Sequence, residues 1–128
     1  KIRQFRPPTN SYLLEFPAGL VDNGETPDET AIRELFEETG YVGEVERISP
    51  KLYSSPGIIS EAVYFAHVNI DENQPENQRP VAQNEPGEFI TVFSKSVYEI
   101  SEFFSHELSQ EVKFDAKLFS YFLAKGIL

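Results

Sequence analysis

One stretch of the chain sorts its apolar and acidic positions by helical period. From Pro27 to Thr39, Ile32, Leu35 and Phe36 project broadly from one side while Glu34, Glu37 and Glu38 share the other. Thr26-Pro27-Asp28-Glu29 opens the stretch as a capping box with Pro27 at the first helical position, and Gly40 supplies the left-handed residue that ends it. This spacing predicts a helix over about Pro27 to Thr39. Arg33 stands four residues after Glu29 and four before Glu37, within reach of either.

Elsewhere the pattern is shorter in range. Lys1 to Phe5 reads as the end of a strand, and Ser11 to Phe16 as a strand broken by Pro17. Val45 to Tyr53 is extended with a break at Pro50, and Ser54 to Ser60 is a Gly-Pro turn region. Glu61 to Ile70 carries a nearly continuous apolar run (Val63, Tyr64, Phe65, Val68) and predicts a buried central strand, with His67 a core or edge histidine and not a ligand. Asp71 to Gly87 is polar with three prolines and predicts a long surface loop leading to Glu88. Glu88 to Phe93 reads as a strand. Ser96 to Glu99 is a second capping box opening a helix to about Leu108, with Val97, Ile100, Phe104 and Leu108 at helical spacing. Asp115 caps a last helix to Lys125, ended by Gly126, and Phe103, Phe104, Phe119 and Phe122 are expected in the core. Strands interleaved with helices predict an α/β (α+β) fold, a mixed sheet between helices, in a single domain spanning 1–128.

Composition narrows the function. With 40% hydrophobic and 25% charged residues the 128-residue chain reads as one soluble globule. A net charge of −10 argues against nonspecific nucleic-acid binding and would repel a nucleotide unless cations are held locally. The absence of cysteine excludes disulfides and thiolate metal sites and fits a reducing compartment, expected to be cytoplasmic with the nucleus or an organelle left open. No apolar run approaches the roughly 20 residues of a membrane helix, and no signal peptide is visible. The chain has no methionine, so an N-terminal portion of the natural protein is expected to lie outside this sequence.

The acidic face of the first helix is the candidate chemistry. Like-charged neighbours on a helix cost roughly 0.2–0.5 kcal/mol per pair, an amount a solvated surface tolerates. On their own, Glu37 and Glu38 would be an exposed charge run. The wider spacing says more: Gly19, five intervening residues, Glu25, seven more, then Arg33-Glu34-Leu35-Phe36-Glu37-Glu38-Thr39-Gly40. This resembles the Nudix box, with Tyr41 a mild departure at the hydrophobic position after Gly40. The resemblance implies a Nudix α/β/α sandwich, a loop–helix–loop catalytic box, and hydrolysis of a nucleoside diphosphate derivative with Mg²⁺ or Mn²⁺.

Further motifs resemble the ADP-ribose (ADP-sugar) pyrophosphatases within that family: Gln4-Phe5-Arg6-Pro7-Pro8, Glu15-Phe16-Pro17-Ala18-Gly19, Pro56 sixteen residues beyond Gly40, and Gly87-Glu88-Phe89. The resemblance implies that Glu34, Glu38 and the Ala18 carbonyl hold metal, with Glu37 a third ligand, direct or through water. Glu88 would be the general base, grouped with Glu37 and Arg33 as catalytic residues. Arg33 and Glu25 would brace the loop and helix, with direct catalysis by Arg33 the less favoured alternative. Arg6, Glu15, Gly19, Leu20, Pro56 and Gly57 would meet the substrate. The implied products are AMP and a sugar phosphate, and the implied assembly is a homodimer through the missing N-terminal segment. Two other readings stay open: a Nudix hydrolase of dinucleoside polyphosphates, coenzyme A or NADH, and a non-catalytic nucleotide-binding module.

Overall fold

The structure is a computed structural model that describes residues 1–84 and 86–128. The chain falls into two compact units, one formed by Lys1–Pro17 with Asn84–Leu128 and the other by Ala18–Gln83.

In the first unit, β1 (Ile2–Arg6) and β2 (Ser11–Glu15) form an antiparallel hairpin around a 3-10 turn at Pro7–Thr9. Asn10 takes a left-handed conformation (φ 46°) to close that turn. β7 (Thr91–Val92) pairs antiparallel with β1, and β8 (Lys113–Phe114) pairs parallel with β2. The sheet is therefore mixed, in the order β7-β1-β2-β8. The second capping box is present at Ser96 and Glu99, but it opens a 3-10 turn, Val97–Glu99, that passes into α2 (Ile100–Ser109). α3 (Ala116–Ala124) starts from Asp115, whose carboxylate accepts from the Lys117 and Leu118 amides.

Leu14, Ile100, Phe104, Val112, Leu118 and Phe122 form the core of this unit. Phe104 lies at its centre, stacked on Phe114 at 4.8 Å and edge-on to Phe122 at 5.6 Å. The apolar face of α2 is shorter than its periodicity suggested, since Val97 and Leu108 are exposed. Phe119 touches the Phe104 and Phe114 rings yet remains 39% exposed, at the margin of the core. The strand expected from Glu88 to Phe93 shrinks to Thr91–Val92, because only those two residues find ladder partners on β1.

In the second unit, α1 runs from Pro27 to Thr39 with both halves of the predicted capping box formed and Gly40 left-handed (φ 76°). β3 (Glu44–Ile48) pairs antiparallel with β6 (Ala66–Asn69) through a bulge between Val45 and Arg47, and β4 (Leu52–Tyr53) pairs with β5 (Ala62–Val63). The buried central strand expected over Glu61–Ile70 is not formed. β5 and β6 are separate pieces paired to different partners, and Tyr64 and Phe65 between them are exposed. An apolar run signals extended chain but cannot tell which neighbour covers it. His67 is an edge residue, its Nδ1 2.6 Å from Glu46 Oε2 on the surface. The segment after β6 is also more than a surface loop, for it contains a 3-10 turn at Pro75–Asn77 whose last residue is buried. No helix among the described residues is long and apolar enough to cross a membrane.

Candidate metal centre

The end of α1 sets the site. Glu37 and Glu38 lie in its last turn, where the negative end of the helix dipole disfavours anions by about 0.3–1 kcal/mol each, and Glu34 lies one turn before them. Arg33 answers much of this charge. Its Nη1 donates to Glu34 Oε1 at 2.8 Å and to Glu37 Oε2 at 3.0 Å. Its Nε and Nη2 form a fork onto Glu25 at 2.7 and 2.9 Å, and Nη2 also donates to the Leu20 carbonyl at 3.0 Å. The guanidinium thus ties the loop before α1 to the helix. Of the two carboxylates spaced four residues from it, Arg33 takes Glu37, because Thr26 already engages Glu29 in the capping box.

The ionisation states follow from these bonds. The Arg33 hydrogen bonds, aided by the Thr30 hydroxyl at 2.7 Å, hold the Glu25 carboxyl well below its ordinary value, at about 2. Glu25 in turn raises the Arg33 pKa, and Glu34 and Glu37 add to the effect. The Glu29 carboxyl is lowered by the Thr26 amide it accepts from.

Ala18 and Gly19 lie against the glutamates. The Ala18 amide donates to Glu38 Oε2 at 3.0 Å, and Glu38 is only 4% exposed, so this bond offsets part of the desolvation of a buried carboxylate. Gly19 packs so closely on Glu34 that a Cβ there would fall 1.8 Å from Glu34 Oε1. A side chain at this position would displace the Glu34 carboxylate from where Arg33 holds it. Leu20 is exposed, as are Pro56 and Gly57, which sit in the turn where the Ile58 and Ile59 amides both donate to the Ser55 carbonyl.

The donor set fits a hard divalent cation, since Glu34, Glu37 and Glu38 offer carboxylate oxygens and Ala18 a backbone carbonyl. Among the described residues, however, no three His, Cys, Asp or Glu side chains gather closely enough to hold an ion as they stand. Arg33 engages one oxygen of Glu34 and one of Glu37.

The other predicted residues belong to the first unit. Arg6 and Glu15 form a two-bond fork on one face of the β1–β2 hairpin, Nε to Oε1 at 2.8 Å and Nη2 to Oε2 at 2.6 Å. Two expected substrate contacts are thus brought together as a pair. Glu88 is half-buried and lines an open cavity of 780 Å³ that Arg3, Tyr12, His106 and Glu107 also line. Glu107 there is buried and salt-bridged to Arg3 at 3.4 Å. Sequence reasoning missed Thr30, although it stands four residues after Thr26 and three before Arg33, positions that share a helix face. It also missed Asn77, for which spacing gave no signal.

A family model of the NUDIX domain matches residues 2–122. An ADP-ribose pyrophosphatase of Saccharomyces cerevisiae is 40% identical over 126 residues, 98% of this chain and 54% of the relative. An ADP-sugar pyrophosphatase of Mus musculus is 40% identical over 124 residues, 96% of this chain and 57% of the relative. A GDP-mannose pyrophosphatase of Escherichia coli is 38% identical over 104 residues, 75% of this chain and 53% of the relative. The chain spans about half the length of these curated relatives.

Proposed function

The chain belongs to the Nudix family, and on that premise we propose that it hydrolyses the diphosphate of a nucleoside diphosphate sugar, ADP-ribose before others, to a nucleoside monophosphate and a sugar phosphate. The reading is carried by the acidic end of α1. Three glutamates crowd the end of the helix, two of them in the last turn, which disfavours anions, while two backbone residues of the preceding loop lie against their carboxylates and Arg33 braces the whole. Local sequence preference gives way in this manner where a site needs it.

Nudix hydrolases use divalent metal ions, and Glu34, Glu38 and the Ala18 carbonyl would hold one here, with Glu37 completing the set. Mg²⁺ or Mn²⁺ so bound would neutralise the diphosphate and acidify a water ligand. Gly19 gives the backbone room for close approach of a diphosphate, and Arg33 with Glu25 keeps the loop on the helix while charge changes around it. Glu88 takes the proton of the attacking water in this reading, a role that rests on its place after Gly87 in the family pattern. A carboxylate within hydrogen-bond reach of that water can accept its proton. The water oxygen joins one phosphorus, that phosphorus loses its bond to the bridging oxygen, and the bridging oxygen leaves on the other phosphate.

Incubation of the protein with ADP-ribose and MgCl₂ in ¹⁸O water tests this. AMP and ribose 5-phosphate are expected, with the label on one of them, and intact ADP-ribose would overturn the reading. GDP-mannose, NADH, coenzyme A and a dinucleoside polyphosphate in parallel rank the substrates. A Glu88→Gln variant is expected to lose turnover more than affinity, and full turnover would place the base elsewhere.

A further inference from the structure

The C-terminal end of α1 is held by a segment far from it in sequence. Asn77 is 5% exposed, and its side chain grips Val42 from both sides: Oδ1 accepts from the Val42 amide at 2.8 Å and Nδ2 donates to the Val42 carbonyl at 2.9 Å. Nδ2 also donates to the Asp71 carbonyl at 2.9 Å and Gln74 Oε1 at 3.3 Å. One buried amide therefore joins both ends of the turn 71–77 to the residue that follows the box.

Beyond Asn77 the same segment returns to the helix. The Gln83 amide donates to the Glu37 carbonyl at 2.6 Å. Val81 crosses Gly40 so closely that a Cβ on Gly40 would lie 2.3 Å from the Val81 nitrogen. The last carbonyls of a helix lack partners within it. Here the Thr39 hydroxyl adds a bond to the Leu35 carbonyl just ahead of that set, the Gly40 amide serves Phe36, and the Gln83 amide serves Glu37. The third of these comes from outside the helix and lands on the residue between two of the proposed metal ligands' positions, Glu34 and Glu38.

We propose that Asn77 is a positioning residue for the metal centre: by clipping 71–83 onto Val42 it seats Val81 on Gly40 and Gln83 on Glu37, and so fixes the turn of α1 that carries Glu37 and Glu38. Gly40 is thereby required twice, for its left-handed backbone and for the slot that Val81 occupies. This rests on the reading of α1 as the metal-holding helix.

The test is Mn²⁺ binding to the full chain followed by electron paramagnetic resonance, which needs no turnover. Asn77→Asp keeps the shape but turns an oxygen toward the Val42 and Asp71 carbonyls. It is expected to weaken Mn²⁺ binding about tenfold at a temperature where the variant is folded, the low end of what losing a supporting contact costs a metal site. Asn73→Ala, in the same turn but bonded to Asp71 alone among the described residues, should bind as the parent does. Where Asn77→Asp fails to fold, Gln83→Pro removes the one amide on Glu37, with Gln83→Ala as the control that keeps it, and the same separation is expected. Unchanged Mn²⁺ affinity in a folded Asn77→Asp or Gln83→Pro protein would overturn the inference and leave Asn77 a purely structural residue. If instead the parent binds Mn²⁺ at α1 but leaves ADP-ribose intact, the functional reading falls and the inference stands.

Discussion

The two units are built from different materials. All the buried hydrophobic side chains among the described residues (Ile2, Leu14, Ile100, Phe104, Val112, Leu118, Phe122) belong to the first unit. The buried side chains of the second that can hydrogen-bond are Thr30, Glu38, Thr39 and Asn77, and no buried hydrophobic residue accompanies them. One unit holds its shape by excluding water from apolar surface, which is non-directional and forgiving of small shifts. The other holds it by directed bonds to charged and amide groups, which fix atoms in place but fail abruptly when a partner is removed. A site that must aim carboxylates at a cation needs the second kind of order. The difference teaches that rigidity at α1 is specified by Arg33 and Asn77 and not by core packing.

The largest expected effect breaks the first unit alone. Phe104→Ala removes the ring stacked on Phe114 and is expected to lower unfolding free energy by about 3–5 kcal/mol in urea titrations. Next in size is a change confined to the second unit. Glu38→Gln can still accept from the Ala18 amide, so stability should shift by less than about 1 kcal/mol. Turnover should nonetheless fall about a hundredfold or more, equivalent to about 2.7 kcal/mol of barrier. If Glu38→Gln unfolds the protein as Phe104→Ala does, or leaves turnover intact, the division between packing and function is wrong.

The units also differ in how much of them the chain announced. α1 was legible to the residue, because Thr26, Pro27, Glu29 and Gly40 act within a few positions of one another and local rules decide them. The Nudix pattern was legible as a fixed spacing from Gly19 to Gly40, and a link between Glu25 and Arg33 only through that resemblance. Arg33's choice of Glu37 over Glu29 was not, since both stand four residues away and only the competing bond from Thr26 separates them. Pairings between distant segments were the least visible. Lys113–Phe114 becomes a strand only because Leu13 and Leu14 lie beside it, and the run at 61–70 divides because its halves meet different partners. Asn77 sits in a polar, proline-rich stretch whose composition suggests exposure, and it is buried with bonds to the distant Val42 as well as to Asp71 and Gln74.

Arg33→Lys sharpens the comparison further. A lysine keeps the charge but cannot form the fork onto Glu25 while reaching Glu34, Glu37 and the Leu20 carbonyl. Losing this geometry should lower the local opening free energy of α1 amides by about 1–2 kcal/mol in hydrogen exchange, with α3 amides unaffected. Equal acceleration in both helices would mean that the brace supports the whole chain and not one unit.

The smallest effect is a change of pH dependence. Glu25 is depressed to about 2 in the folded protein from an ordinary 4.5, chiefly by the Arg33 hydrogen bonds and then by Thr30. A folded-state pKa below the unfolded one means that the unfolded chain binds more protons in that interval, so stability rises with pH there. The contribution of Glu25 is therefore complete above pH 4.5 and is lost as pH falls toward 2. Glu25→Gln should flatten that part of the acid limb in chelator-treated protein and leave the slope above pH 5 unchanged. Because Thr30 can still donate to a glutamine oxygen, part of the bond network survives, so the lost slope reports the ionisation of Glu25 and not the loss of every bond. An acid limb identical in parent and variant would show that the fork adds no net stability, and that the second unit draws its order from the Asn77 contacts instead.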